Sequence, residues 1–323
     1  MNPNDPREPK SDRTFKILIF SLGVFFVLTL FFMVFVFQRM LGENAPRILP
    51  SSSEITLMDI EGPIYSSDNV VRRIKKFRKS SVKALLLRID SPGGGVAASQ
   101  EIYTEVLRAR QEDKKIVVAS MGGVGASGAY YIASACDRII CNPGTVTGSI
   151  GVIAEFPEAT GLMGKIGVSF QTIKSGQFKD TGALDRRLTP AERVYLQETI
   201  NDVFGQFLDA VIKGRRQAFQ ERLAVALKRK PAQVTEAEIR THVLRYADGR
   251  ILTGNKAFQE GFIDQLGNYY DAVRLTADLA GIKGEPTIRH DQAMKMDKYL
   301  NSLLPFDFWN RSKPGLHLEY RSF

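Results

Sequence analysis

The sequence predicts an α/β fold, a parallel sheet with covering helices. Two observations carry this. Short buried strands alternate with helices in a β-α-β-α-β rhythm between residues 55 and 141, the pattern of parallel strands joined by crossover helices. Two of those strands end in glycine-rich turns, Gly93-Gly94-Gly95 and Gly122 to Gly128. In open parallel sheets, sites gather at such carboxyl ends.

Taken in order, residues 55–60 alternate like a strand, and residues 68–79 read as a helix with Asp68 as its N-cap. Residues 82–89 form a buried strand ending at Asp90-Ser91-Pro92, where Asp90 is expected to hold its turn. Residues 99–110 read as a helix with Ile102, Val106 and Leu107 on one face. A strand at 115–120, a turn at 122–128, a buried helix at 129–134 and a strand at 138–141 follow. Thr189-Pro190-Ala191-Glu192 is a capping box with proline at the first helical position. Leu196, Ile200, Val203, Phe204, Phe207 and Val211 then make an apolar stripe of the core-packing kind. Residues 218–247 are charged and helix-like, 255–260 form a short helix, and the stretch from 286 on, with Trp309, is irregular.

The 323 residues carry a net charge of +9, spread in mixed-sign stretches. No nucleic-acid reading motif accompanies it, so a nucleic-acid partner is not expected. Cys136 and Cys141 flank a strand; five residues at about 3.3 Å each separate them by roughly 16 Å, too far for a disulfide. They are expected as buried free thiols. His242, His290 and His317 are scattered, and no metal-ligand spacing occurs.

Residues 17–37 are almost wholly apolar, interrupted only by Ser21, Gly23 and Thr29. At 1.5 Å per residue the run spans about 30 Å, the thickness of a bilayer's hydrocarbon core. No small-residue cleavage site follows, so an uncleaved transmembrane helix is expected. Arg7, Lys10, Arg13 and Lys16 precede it, which predicts a cytoplasmic N-terminus. The large C-terminal part then lies outside the inner membrane. The domain plan is a tail over 1–16, the anchor over 17–37, a linker over 38–53, a folded domain over 54–285 and a C-terminal tail over 286–323.

The glycine turns limit the chemistry. Gly123 to Gly128 fits G-x-G-x-x-G, but the next strand ends at Cys141-Asn142 without the acid that holds a ribose. No Gly-Lys-Ser/Thr follows Gly95, which excludes a P-loop. Acyl transfer fits better. Ser127 sits at a strand-to-helix turn, where its hydroxyl and the next backbone N–H share one space. Gly94 offers a second unobstructed N–H, and two such donors make an oxyanion hole. Ser127 read alone is equally a small residue in a tight turn. A serine nucleophile needs a base, and a desolvated lysine can serve; the residues alone single out no lysine.

Five motifs in order resemble the signal peptide peptidase A family. They are Asp90 to Gly95, Gly125 to Tyr131, Thr147 to Gly151, Lys174 to Asp180, and Ala247 to Gly254 followed by Gly261 to Asp264. The resemblance implies a Clp protease/crotonase-like fold of repeated ββα units and a serine peptidase with a Ser–Lys dyad in the 54–285 domain. By position, Ser127 matches the nucleophile, Lys179 the general base, Gly94 and Gly128 the oxyanion-hole positions, and Ser149 the hydroxyl that orients the lysine. Lys174 is a basic neighbour. No cofactor or metal is implied. The implied substrates are remnant signal peptides or other apolar membrane peptides. The implied setting is the lipid bilayer, with a homo-oligomeric ring in which one subunit can complete another's dyad. Residues 215–240 look like a helical insertion. Two alternatives share parts of this pattern: a broader membrane quality-control protease and a crotonase-fold acyl-CoA enzyme.

Overall fold

The computed structural model describes residues 20–34, 54–291 and 319–321. The chain divides into two compact units, Met1–Pro50 and Ser51–Phe323. In the first, residues 20–34 form a helix (α1) with every residue exposed. Among the described residues no helix is long and apolar enough to cross a membrane. The span expected over 17–37 runs past the described stretch at both ends, and the tail over 1–16 and the linker over 38–53 lie outside it.

The second unit begins with β1 (Glu54–Glu61), α2 (Asp68–Lys79), β2 (Ala84–Ser91), β3 (Gly93–Gly95), α3 (Val96–Gln111) and β4 (Ile116–Ala126). Next come α4 (Gly128–Ser134), β5 (Arg138–Cys141), β6 (Val146–Gly148), α5 (Thr160–Ile166) and α6 (Pro190–Leu227). The rest is α7 (Glu236–Leu244), β7 (Ile251–Thr253), α8 (Gly254–Gln259), β8 (Gln265–Leu266), α9 (Tyr269–Leu279), β9 (Thr287–His290) and β10 (Glu319–Arg321). The main sheet has the order β7-β6-β4-β2-β1-β9, with β5 beside β4 and β8 beside β5. Every pairing in it is parallel except β6 with β7. The mixed α/β fold with a mostly parallel sheet is the one expected.

Period-two alternation divides the sheet into two buried faces. Leu85, Leu87 and Ile89 of β2 face a core shared with Ile74 and Phe77 of α2, Ile102 and Val106 of α3, and Phe207 of α6. Ala84 and Leu86 face the other way, with Ile55, Leu57 and Val118, under Ala272 and Ala277 of α9. Burial on both faces explains the unbroken apolar run of β2. Each fully buried leucine there stabilises by roughly 1.5–3 kcal/mol.

Four local expectations change. The stretch from 286 on, expected to be irregular, forms β9 over Thr287–His290 and pairs with β1, while Trp309 lies outside the described residues. Ser67, not Asp68, is the N-cap of α2, and Asp68 becomes the acid of its first turn. The strand expected at 115–120 continues through the glycines as far as Ala126. It does so because β4 forks: Val118–Met121 pairs with β5, while Val124–Ala126 pairs with β6. A register shift against β2 absorbs the extra residues. The helix opening at the Thr189 capping box is also longer than its apolar stripe. Arg215, Phe219 and Ala224 are buried beyond Val211, at spacings that keep one helical face inward. Residues 215–240 therefore hold the end of α6, a 3₁₀ turn at Pro231–Gln233 and the start of α7, and Phe219, Val234 and Ile239 join the main core.

Candidate active site

Ser127 lies between the end of β4 and the start of α4, with φ 55° and ψ −121°. A non-glycine residue at positive φ is strained by about 1–3 kcal/mol and persists only where its surroundings fix it. The fixing contacts are clear: its N–H donates to the Gly148 carbonyl at 2.8 Å, and its carbonyl accepts the Tyr131 N–H at 2.8 Å. Ser127 is fully buried, and its Oγ has no hydrogen-bond partner among the described residues. A buried hydroxyl without a partner costs free energy and is what a reactive oxygen awaiting a substrate or base looks like. Gly128, the first residue of α4, carries one of the N–H groups that a helix's first turn leaves without an intrahelical acceptor.

The β2–β4 ladder brings the second glycine turn to this place. Ser91 stands opposite Gly125, two residues before Ser127. Ser91 Oγ accepts the Gly93 N–H at 3.1 Å, which tightens the turn into β3. On one edge of β3, the Ile64 N–H donates to the Gly93 carbonyl at 2.9 Å, and the Ile64 carbonyl accepts the Gly95 N–H at 2.8 Å. A side chain on Gly94 would place its Cβ 2.3 Å from the Ile64 oxygen, so only glycine fits. Asp90 joins the two turns. Its Oδ1 accepts the Val124 N–H at 2.9 Å, and its backbone carbonyl accepts the Gly62 N–H at 2.9 Å. Its carboxylate fills the space where a side chain on Gly122 would lie. Thr145 and Thr147 donate their hydroxyls to the carbonyls of Gly122 and Gly125, both at 2.7 Å. Sequence reasoning assigned Asp90 to its own turn; its side chain serves the neighbouring strand instead.

Ser149 follows Gly148, the residue that accepts the Ser127 N–H. It too has positive φ, 50°, and its N–H donates to the Arg250 carbonyl at 2.9 Å. It is buried and borders a pocket of about 660 Å³ lined by Val152, Ile153, Ile200, Phe204 and Ile251. Ser127, Gly128, Gly94 and Ser149 are thus gathered at the carboxyl ends of β2, β4 and β6.

Lys179 is placed differently. It lies in an exposed turn after α5, where its N–H donates to the Gly176 carbonyl at 3.2 Å. Its ammonium has no hydrogen bond or ion pair among the described residues, and it is not bonded to Ser127 within this chain. Its neighbour Asp180 is firmly held. Lys174 Nζ lies 2.6 Å from Asp180 Oδ1, and Arg186 donates to Asp180 Oδ2 at 3.0 Å and to Glu192 Oε2 at 2.8 Å. Arg186, and after it Lys174, holds the Asp180 carboxyl down at about 2. Arg186 likewise keeps Glu192 well below the usual carboxylate range. Glu192 is also the capping-box acid of α6. The Lys179 turn is therefore tied to the α6 N-terminus, and Lys174 is occupied by Asp180.

Behind the site, the buried Arg215 of α6 reaches Asp264 at 2.9 Å, and Asp264 Oδ2 accepts the Ile139 N–H at 2.6 Å. Tyr130, fully buried in α4, donates its hydroxyl to the Phe262 carbonyl at 2.8 Å. Gly214 packs so close to α4 that a Cβ there would meet the Ser134 oxygen at 2.0 Å. These contacts fix α4, and no sequence signal distinguished Arg215 from the other charges of its helix. Cys136 and Cys141 are buried free thiols, as expected; burial raises them to about 12 and about 11. Among the described residues no cluster of side chains could hold a metal ion.

Comparison with known proteins identifies the family. Residues 109–237 match the model for peptidase family S49. A candidate protease of Synechocystis sp. is 41% identical over 231 residues, which cover 71% of this chain and 75% of the relative. Protease 4 of Haemophilus influenzae is 30% identical over 247 residues, 73% of this chain. A candidate signal peptide peptidase of Enterococcus faecium is 34% identical over 210 residues, 65% of this chain. The chain spans 36% of the length of the Haemophilus protein and 55% of the Enterococcus protein. A peptidase family match sets aside the acyl-CoA alternative. The chain belongs to peptidase family S49, the signal peptide peptidase A family of serine peptidases.

Proposed function

We propose that this protein is a membrane-anchored serine endopeptidase that digests remnant signal peptides by Ser–Lys acyl-enzyme chemistry, on a fold of the Clp protease/crotonase type. The observation that carries the reading is Ser127: strained, buried, its Oγ unpartnered, and set beside the Gly94 turn. Ser127 Oγ is the nucleophile. Gly94 and Gly128 N–H groups receive the oxyanion, and such a donor typically contributes about 2.7–4 kcal/mol of transition-state stabilisation. Lys179 takes the Ser127 proton and returns it to the leaving amine; Ser149 orients it. Water then hydrolyses the acyl-enzyme.

The exposed position of Lys179, away from Ser127 Oγ, favours a dyad completed between copies of this chain in a ring. The segment around it exposes Leu162, Ile166, Phe170 and Ile173, an apolar surface that a neighbouring copy can cover. Removing water from an amine favours its neutral form, which a base requires. The pocket beside Ser149, with its aliphatic and aromatic lining, suits the small or apolar side chains of a signal peptide. Residues 17–37 anchor the protein in the inner membrane, with the N-terminus cytoplasmic and the peptidase domain on the periplasmic side. A wider role in membrane protein quality control uses the same chemistry.

The test is cleavage of an apolar signal-like peptide by the full chain in detergent. Ser127→Ala and Lys179→Ala should each lower kcat by at least about a thousandfold at unchanged assembly state. Activity retained in either variant contradicts the assignment. Cleavage of unfolded soluble proteins as fast as the apolar peptide favours the wider role.

A further inference from the structure

The excursion that carries Lys179 has a neck. There the Ala159 N–H donates to the Leu184 carbonyl at 2.7 Å. Gly182, at φ 82°, lies so close to Phe156 that a Cβ would meet the ring at 2.4 Å. A pocket of about 240 Å³ opens at this neck. Phe156 and Glu158 line it from the outgoing segment, Gly182, Arg187 and Leu188 from the returning one, and Arg193 from the start of α6. Arg186 lines it too, but its guanidinium is taken by Asp180 and Glu192, and neither acid is part of the lining. Glu158 is also engaged: it accepts the Thr160 N–H at 3.1 Å and the Arg187 Nε–H at 3.4 Å. Beyond that contact the Arg187 side chain is 86% exposed. Arg193 is exposed, and its guanidinium has no hydrogen bond or ion pair among the described residues. Arg187 and Arg193 thus keep free donors beside an apolar wall of Phe156 and Leu188. A guanidinium fork matches a carboxylate through two parallel hydrogen bonds.

We propose that this pocket receives the C-terminal carboxylate of the peptide being cut, and so selects peptides already released from a longer chain. The inference rests on the substrate class and on the role of Lys179 proposed above. Release of a signal peptide by hydrolysis creates a free carboxylate where the uncut chain has a neutral amide followed by the rest of the protein. Arg187 and Arg193 pair with the carboxylate; a neutral amide in the same place leaves them without that partner. Selectivity is this difference between the two forms. Phe156 and Leu188 give the last side chain an apolar surface. The pocket wall is continuous with the base's own turn, since the Ala183 N–H donates to the Asp180 carbonyl at 3.1 Å. The carboxylate is therefore held at whichever site Lys179 serves, in the same copy or in a neighbour. The carboxylate takes no part in bond making or breaking, so its contacts are the same in ground and transition states. Such uniform binding lowers KM and leaves kcat unchanged.

The experiment uses the full chain in detergent and one apolar signal-like peptide in two forms, free acid and C-terminal amide. The forms share every side chain and differ in one charge. Wild type should cut the acid with kcat/KM at least about tenfold above the amide, with the difference in KM. Arg187→Gln and Arg193→Gln should each shrink that ratio, and the double variant should bring it within about twofold of one. The ratio should also shrink at high salt, which screens exposed charge pairs. Cleavage of the amide, followed alongside, shows that each variant's site is assembled. Equal cleavage of acid and amide by wild type, with both lost in Ser127→Ala, overturns this inference and leaves the proposed function standing. A preference for the acid that persists undiminished in the double variant also overturns it, because the carboxylate is then read elsewhere. Failure of wild type to cut either form removes both readings.

Discussion

At the scale of single residues, the site is a set of backbone positions that only certain side chains allow. Gly94 must be glycine because Ile64 lies against it, and Ser127 and Ser149 are held at positive φ by the carbonyls of Gly148 and Arg250. Asp90 ties these parts together, with its side chain on the strand that carries Ser127 and its carbonyl on the segment that flanks Gly94. Removing that carboxylate should loosen the approach to Ser127 without touching substrate. Displacement of a reacting group by about 1 Å can cost on the order of a hundredfold in rate. Asp90→Ala should therefore lower kcat by roughly tenfold to a hundredfold while KM and melting temperature stay close to wild type. Asp90→Asn should recover most of the rate, since its amide oxygen still accepts the Val124 N–H. An equal loss in both variants, or a change confined to KM, contradicts this role. The turns that hold Ser127, Gly94 and Gly128 were legible because glycine-rich turns between strand and helix are local features. Lys179 was not legible from its own residues, because an exposed lysine in a turn looks like any other; motif resemblance alone picked it out.

At the scale of elements, the strands and the capping box at Thr189 were readable because each depends on near neighbours in sequence. What escaped depends on partners distant in the chain. β4 passes through its glycines as a strand because Asp90, Thr145 and Thr147 hold them, and α6 continues to Leu227 because its inward face meets residues from α4, α7 and the segment after α8. The Lys179 turn is one such element, joined to α6 through Asp180, Arg186 and Glu192. Asp180 has a folded value of about 2, below the roughly 3.9 of a free aspartate. Its stabilising contribution is thus fully present above the free value and is lost as pH falls through about 2. Pepsin should leave the 174–192 segment intact near about pH 4 and cut it near about pH 2. Arg186→Gln should make it susceptible already at the higher pH. Equal resistance of variant and wild type near about pH 4 contradicts the anchoring role.

At the scale of the whole molecule, the α/β architecture was legible because its sheet is buried on both faces, which marks the strands as continuous apolar runs. The distribution of the site was not. Within one chain Ser127 sits deep between strands while Lys179 stands on an exposed apolar excursion. Nothing in the sequence pattern around Lys174 to Asp180 distinguishes a base that serves its own serine from one that serves a neighbour's. The most direct measurement of the central claim mixes Ser127→Ala with Lys179→Ala subunits, each inactive alone, and follows cleavage of an apolar peptide. Recovery of a substantial fraction of wild-type activity on co-assembly is the predicted result, because each junction between unlike subunits of the right order pairs an intact Ser127 with an intact Lys179. No recovery, in mixed rings verified by mass, would contradict a dyad shared between subunits.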